Sequence, residues 1–263
     1  MVPRSSDMTE AHGVGAPPAA YIDRSAAVDR RAMVLSGAWI GPDVEVQEGA
    51  VISPGAVIGL PRNDGPTGPT VIGAGSRIGP AVHIEPGVRL GARCDIGHGS
   101  TIGSFCCVGA NVFLGPGATI MSHVTIEDYV RLLAGVYVCE QSILRSHCQI
   151  MPNAILINDQ YPPTALDVRG PEIGKCAVVG VNAVIWPGVK VGYHALVGAQ
   201  AEVKHDVPDY VLVRGQPATA VCDVRQIRMK HEGKWITPYP WMQWAPSGTD
   251  VRGPGPRSPA SEE

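Results

Sequence analysis

The sequence predicts an all-β solenoid of short parallel strands. Three observations predict it: a six-residue hydrophobic period, a small side chain at a fixed place in each period, and a core poor in aromatic rings. From Ile22, an aliphatic residue returns at every sixth position through Val28, Val34, Ile40, Val46, Ile52 and Ile58. After a Pro/Gly-rich interruption the register runs unbroken from Ile72 to Leu156, and after a second it runs from Ile173 to Val203. Four residues after the aliphatic stands something small, as at Ala26, Ala50, Ser76, Cys94, Ser100, Cys106, Ala118, Ala177 and Ala195. Gly often follows the aliphatic directly, as at Gly73, Gly97, Gly109, Gly174 and Gly198. A period of six fits neither a 3.6-residue helix nor a hairpin meander. It fits strands joined by tight corners, with Gly supplying awkward backbone angles and the small residue tucked beneath the corner.

Composition agrees. Hydrophobic residues make up 44% of the 263, but aromatic ones only 5%, with two Phe, so the core must be Val, Ile, Leu and Ala. The net charge of −3 offers no basic field for nucleic acid or anionic lipid. No run approaches the ~20 apolar residues of a membrane span, and the N-terminus lacks the apolar stretch of a signal peptide. Seven Cys without a CxxC pair suit reduced thiols and a cytoplasmic location. Cys94, Cys106 and Cys148 occupy the small inward position and read as structural. Residues 1–19 and 246–263, rich in Pro, Ser and Gly, read as disordered tails. Residues 20–206 form the solenoid, with inserts at 60–71 and 158–172. Residues 207–245 read as a C-terminal cap or arm carrying Trp235, Trp241 and Trp244.

This repeat resembles the hexapeptide-repeat superfamily over roughly residues 20–205. The resemblance implies a left-handed parallel β-helix in which three hexads close one triangular coil, giving about nine coils here. Residues 18 apart then stack on one edge, about 4.8 Å from each other. Ser122, Glu140 and Asn158 fall in one such column, and His123, Gln141 and Asp159 in the next. The 158–172 insert leaves from the top of this polar cluster, and long loops in compact folds carry function more often than not. A carboxylate and a His so placed suit proton transfer near neutral pH. The remaining corner His residues, His83, His98, His147, His194 and His205, read as solvated; His147, on another corner, is a reserve base that could act across a subunit boundary. The zinc enzymes of this fold use His residues near-stacked or about five residues apart. No two His here are separated by 5 or 18, so no metal is expected.

The stretch VYVCEQSILRSHCQIMPNAILIND (136–159), followed by QYPP, is similar to the sugar-nucleotide N-acetyltransferases of the superfamily, where a Glu-bearing coil precedes an Asn-Asp-x-x-Pro loop. Val213 to Ala218, VRGQPA, is similar to the Val-x-Gly-Asn-Pro-Ala segment that closes the helix there. The resemblance implies transfer of an acetyl group from acetyl-CoA to the amine of a sugar nucleotide, in a groove between subunits of a homotrimer. It implies that Asn158 and Asp159 orient the amine beside Glu140. It further implies that Gly180, Gly198 and Ala199 offer backbone groups to the pantetheine arm, and that Lys204 and Arg214 meet the CoA phosphates. The chain departs from the family pattern at Leu133-Ala134-Gly135, at Thr219 and at Pro162-Pro163. Insert 60–71 is similar to a loop of the UDP-N-acetylglucosamine O-acyltransferases. The alternatives are therefore O-acyl transfer with His123 as base, or a non-catalytic trimeric scaffold. A scaffold has no need of the Glu140/Asn158/Asp159 cluster.

Overall fold

A computed structural model describes residues 19–60, 67–162 and 168–236. The terminal tails, Trp241, Trp244 and Pro163 lie outside those residues. The chain winds through three parallel sheets in turn, forming a triangular prism. Sheet A has ten strands, from Tyr21–Ile22 to Glu202–Val203. Sheet B has nine, from Ala27–Val28 to Lys190–Val191. Sheet C has eleven, from Met33–Val34 to Thr219–Asp223, the last antiparallel.

Each strand contributes one inward aliphatic, and these stack into ladders such as Ile102, Ile120, Val138 and Leu156. All four are 1% exposed or less. The small positions are inward too, and their polar atoms are satisfied by the next coil. Ser76 Oγ donates to the Gly91 carbonyl at 3.0 Å and Ser100 Oγ to Gly115 at 3.0 Å. Cys94 and Cys106 make the same bond through sulfur, to Gly109 and Met121. Burial pushes the Cys94 thiol up to about 11 and Cys106 up to about 12.

One expectation needs correcting. Gly59 apart (φ 68°), the Gly directly after an aliphatic is not there for its backbone angles. Gly73 is absent from the left-handed region, and a Cβ on it would stand 2.3 Å from the Gly91 carbonyl carbon of the next coil. Close stacking of corners, not torsion, excludes a side chain. The left-handed position lies two residues later and is often not Gly, as at His123 (φ 59°) and His147 (φ 63°). The hexads make about nine coils, as expected, and a last coil forms outside the six-residue register. There Lys190 N–H donates to Asp206 and Tyr193 N–H to Asp209, each across 16 residues. Leu196 pairs with Leu212. The chain then turns back on itself through the VRGQPA segment, and a short hairpin, Met229–His231 with Lys234–Ile236, follows.

Both inserts leave from the edge where sheet A passes to sheet B. The coils on either side stay stacked: Val57 pairs with His83 and Ile143 with Glu172. Among the described residues, no helix is long and apolar enough to cross a membrane.

Candidate functional site

The strand register carries the polar cluster onto that A–B edge. Ile120 pairs with Val138 and Val138 with Leu156. Ser122, Glu140 and Asn158, each two residues further on, therefore share a column, and His123 and Gln141 share the next. Asp159 does not complete the second column, because the chain leaves the coil there. Its Oδ1 accepts the Tyr161 N–H at 2.8 Å and starts the insert. The returning chain is tied back by Arg169 N–H donating to the Asn158 carbonyl at 3.0 Å.

The side chains of this edge are held from below and open above. His123 stacks on Phe105, ring centroids 5.4 Å apart. Ser104, under Ser122, is 2% exposed and bonded by hydroxyl and N–H to Glu85. Ser142 Oγ donates to the Cys139 carbonyl at 2.8 Å and closes the corner behind Glu140. Among the described residues, the Glu140 carboxylate and the Asn158 amide have no side-chain partner. Burial pushes the neighbouring Tyr137 phenol up, with Cys139 and Glu140 adding to it. His123 and Gln141 are left-handed, but so are Phe105, Tyr129 and Cys176 at equivalent corners. That conformation belongs to the coil and is not strain reserved for the site.

The expected acyl-donor residues divide between two edges. Gly180, Gly198 and Ala199 lie where sheet C passes to sheet A, and Arg214 stacks on Gly198, since Val197 pairs with Val213. The N–H groups of Gly180 and Gly198 are already spent on the Val197 and Val213 carbonyls at 2.9 and 2.8 Å. They cannot also donate to a thioester arm. Among the described residues, the N–H and carbonyl of Ala199 have no partner. Lys204 is on the A–B edge, three coils beyond Glu140. Its Nζ is 3.1 Å from Glu202 and 4.4 Å from the Trp186 ring centroid.

Trp186 escaped the sequence reading. It occupies the corner above Ile157, in register through Leu156 and Ile185, and donates Nε1–H to Glu202 at 3.2 Å. The signal was a Trp where neighbouring hexads carry Gly. The solvated reading of His194 is also corrected. It is 7% exposed on the B–C edge, stacked on Tyr210 and edge-on to Tyr193, with its Nδ1 buried and unbonded among the described residues. His147 lies on the same edge, stacked on Tyr129 at 4.9 Å. Burial lowers the pKa of both, and Lys175 lowers them further. No group of three or more His, Cys, Asp and Glu able to hold a metal occurs among the described residues.

Comparison with known proteins agrees with the repeat and the fold. A family profile described as bacterial transferase hexapeptide (six repeats) matches residues 69–104. Another, the hexapeptide repeat of succinyl-transferase, matches 107–140 and 172–200. A chloramphenicol acetyltransferase of Escherichia coli is 33% identical over 27% of this chain and 33% of its own length. A dTDP-3-amino-3,6-dideoxy-alpha-D-galactopyranose 3-N-acetyltransferase of Aneurinibacillus thermoaerophilus is 46% identical over 18% of this chain and 24% of its own. The chain thus spans a third or less of the length of these curated relatives. In fold it is similar to a UDP-N-acetylglucosamine acyltransferase from Bacteroides fragilis, with TM-score 0.53 and 17% identity over 78% of this chain and 73% of that one. Repeat, coil geometry and the profile matches show that the chain is built of hexapeptide repeats wound as a left-handed parallel β-helix, similar to the transferases of that architecture.

Proposed function

We propose that the chain is an acyl-CoA-dependent transferase that acetylates the amine of a nucleotide-linked amino sugar, acting as a homotrimer. The observation that carries this reading is the division of the candidate residues between the two edges that border sheet A. The outward positions of sheet A, from Tyr21 through His83, Tyr137 and Ile155 to Val184, carry no acidic or basic side chain other than His83 before Glu202. Tyr137 and Ile155 are 37% and 39% exposed in the single chain. A face so free of formal charge suits packing against copies of itself around a three-fold axis. With sheet A inward, the A–B edge of one copy meets the C–A edge of the next. The Glu140/Asn158 column then borders the same cleft as Ala199 and Arg214 of a neighbour, which stand further along the prism. His147, on the outer B–C edge, would point away from it.

The chemistry asks little of the protein beyond placement. The amine nitrogen attacks the thioester carbonyl carbon; a C–N bond forms, the C–S bond breaks and the CoA thiol leaves. Asn158 and Glu140 hold the amine, and its proton passes to His123. The unpartnered Ala199 N–H suits the developing oxyanion. The amide product and free thiol balance the reaction without a metal. The similarity to an amino-sugar N-acetyltransferase supports an amine acceptor.

The test is thiol release from acetyl-CoA with a nucleotide-linked amino sugar, against the same sugar bearing hydroxyl in place of the amine. Release with the amine alone, and a product heavier by one acetyl group, is expected. Equal release with the hydroxyl sugar would favour O-acyl transfer, and none with either would favour a scaffold.

A further inference from the structure

The 60–71 insert has no part in the proposed reaction, yet its returning end lies in the column of the proposed base. Gly87, Phe105 and His123 occupy the same left-handed corner position on three successive coils of the A–B edge, with φ of 80°, 57° and 59°. Gly87 N–H donates to the Gly68 carbonyl at 3.1 Å and to Thr70 Oγ1 at 3.0 Å. Thr70 is 1% exposed, so this joint is buried. It fastens the returning chain to the foot of the column.

The Phe105 ring rests on that joint. A Cβ on Gly87 would stand 2.5 Å from Phe105 Cδ1, and one on Gly68 would stand 3.2 Å from Cε1. A residue without a side chain at 87 leaves room for the ring. On the next coil His123 stacks on it, with ring planes 22° from parallel. The corner that carries the ring is itself fixed, because Ser104 donates its hydroxyl and N–H to Glu85 at 2.7 and 3.0 Å. Gly or Asn would take this left-handed corner at less cost than Phe. The ring is 38% exposed, so core burial does not account for it. What Phe supplies here is a flat face for the imidazole.

We propose that Phe105 is a positioning residue for His123, and that the returning end of the 60–71 insert acts on the reaction through it. This role rests on the proposed function, in which His123 takes the proton of the amine. A ring stacked on a fixed plane turns only within that plane. Its nitrogens then stay within reach of the proton, and small displacements from that geometry cost rate steeply. Tyr129 and His147 form the same kind of stack on the B–C edge, where neither insert leaves the coil. That pair is the control.

The experiment joins acetyl-transfer kinetics to proton NMR of the full chain carrying labelled His. Phe105→Leu keeps apolar bulk and removes the flat ring. It should lower kcat about tenfold, with the KM for acyl-CoA within about twofold and the melting curve intact. Phe105→Tyr should keep kcat within about threefold of wild type. In the His123→Ala background Phe105→Leu should cost less than about twofold, because the group it positions is gone. Gly68→Val should lower kcat several-fold, but not in a chain that already carries Phe105→Leu. Tyr129→Leu should leave kcat within about twofold. The ring-proton resonance that His123→Ala removes should lie upfield in the wild type, in the ring current of Phe105, and move downfield in Phe105→Leu. An unmoved resonance, or an active enzyme whose kcat ignores Phe105→Leu, overturns the proposal alone. The same loss with and without His123 also overturns it, by making Phe105 merely structural. A wild type that transfers no acetyl group overturns the proposed function and this role together.

Discussion

The A–B and B–C edges are built on the same corner, yet they spend their side chains differently. Both place a non-Gly residue in the left-handed region, His123 and Gln141 on one, His147 and His194 on the other. On the B–C edge these residues pack on each other's neighbours: His147 on Tyr129, His194 on Tyr210, and Arg225 over Tyr210 at 4.3 Å. On the A–B edge the ring of His123 is stacked, but Glu140 and Asn158 beside it are left without side-chain partners, and both inserts leave there. Those two polar groups are left available to a ligand, which is the role proposed for this edge. The B–C edge holds the end of the prism together; the A–B edge is the one with chemistry to spare.

That contrast makes its strongest demand on His123. His123→Ala should lower kcat/KM by about 10²–10⁴-fold, the range for a lost general base. A loss below tenfold would mean that the amine arrives neutral.

Asn158→Ala and His194→Ala then sharpen it as a pair. The first should cut kcat/KM by about 10²-fold with an unchanged melting temperature. The second should spare activity per folded molecule and cost about 2 kcal/mol, some 4–8 °C, through the ring lost between Tyr193 and Tyr210. The same result at both edges, in either assay, would erase the distinction.

Arg214→Ala should raise the KM for acyl-CoA by about tenfold with little change in kcat. Lys204→Ala should do less, because Glu202 and Trp186 already engage that ammonium. Initial rates against acyl-CoA concentration decide both.

The smallest effect is on pH. Both His147 and His194 titrate below their ordinary value of 6.5 when folded. The unfolded chain therefore takes up more protons in the window below 6.5. The stability they contribute is complete above that value and falls as pH drops through it. Melting temperatures between pH 7.5 and 5.5 should decline, and His194→Phe should decline less.

The ladders from Ile72 to Leu156 were legible because one inward aliphatic per strand leaves a strict period, and the Ser122/Glu140/Asn158 column followed from that register alone. The last coil was not, because its 16-residue closure through Asp206 and Asp209 abandons the repeat. The burial of His194 was hidden for the same reason, since Tyr210 reaches it only from that coil. The corner Gly was seen but misread: a sequence shows that a side chain is missing, not whether a torsion or a stacked carbonyl forbids it. The division of Lys204 from Arg214 needed the turn after Val203, which no hexad marks.

The central claim is that one working site draws Asn158 from one chain and Arg214 from another. Asn158→Ala and Arg214→Ala proteins, unfolded together and refolded as a one-to-one mixture, test it when assayed at low acyl-CoA. Random three-fold assembly pairs an intact A–B edge with an intact C–A edge at about a quarter of the clefts. The account predicts recovery to about a quarter of wild-type activity, well above the mean of the two variants refolded alone. Activity no higher than that mean would contradict it and return the whole site to a single chain.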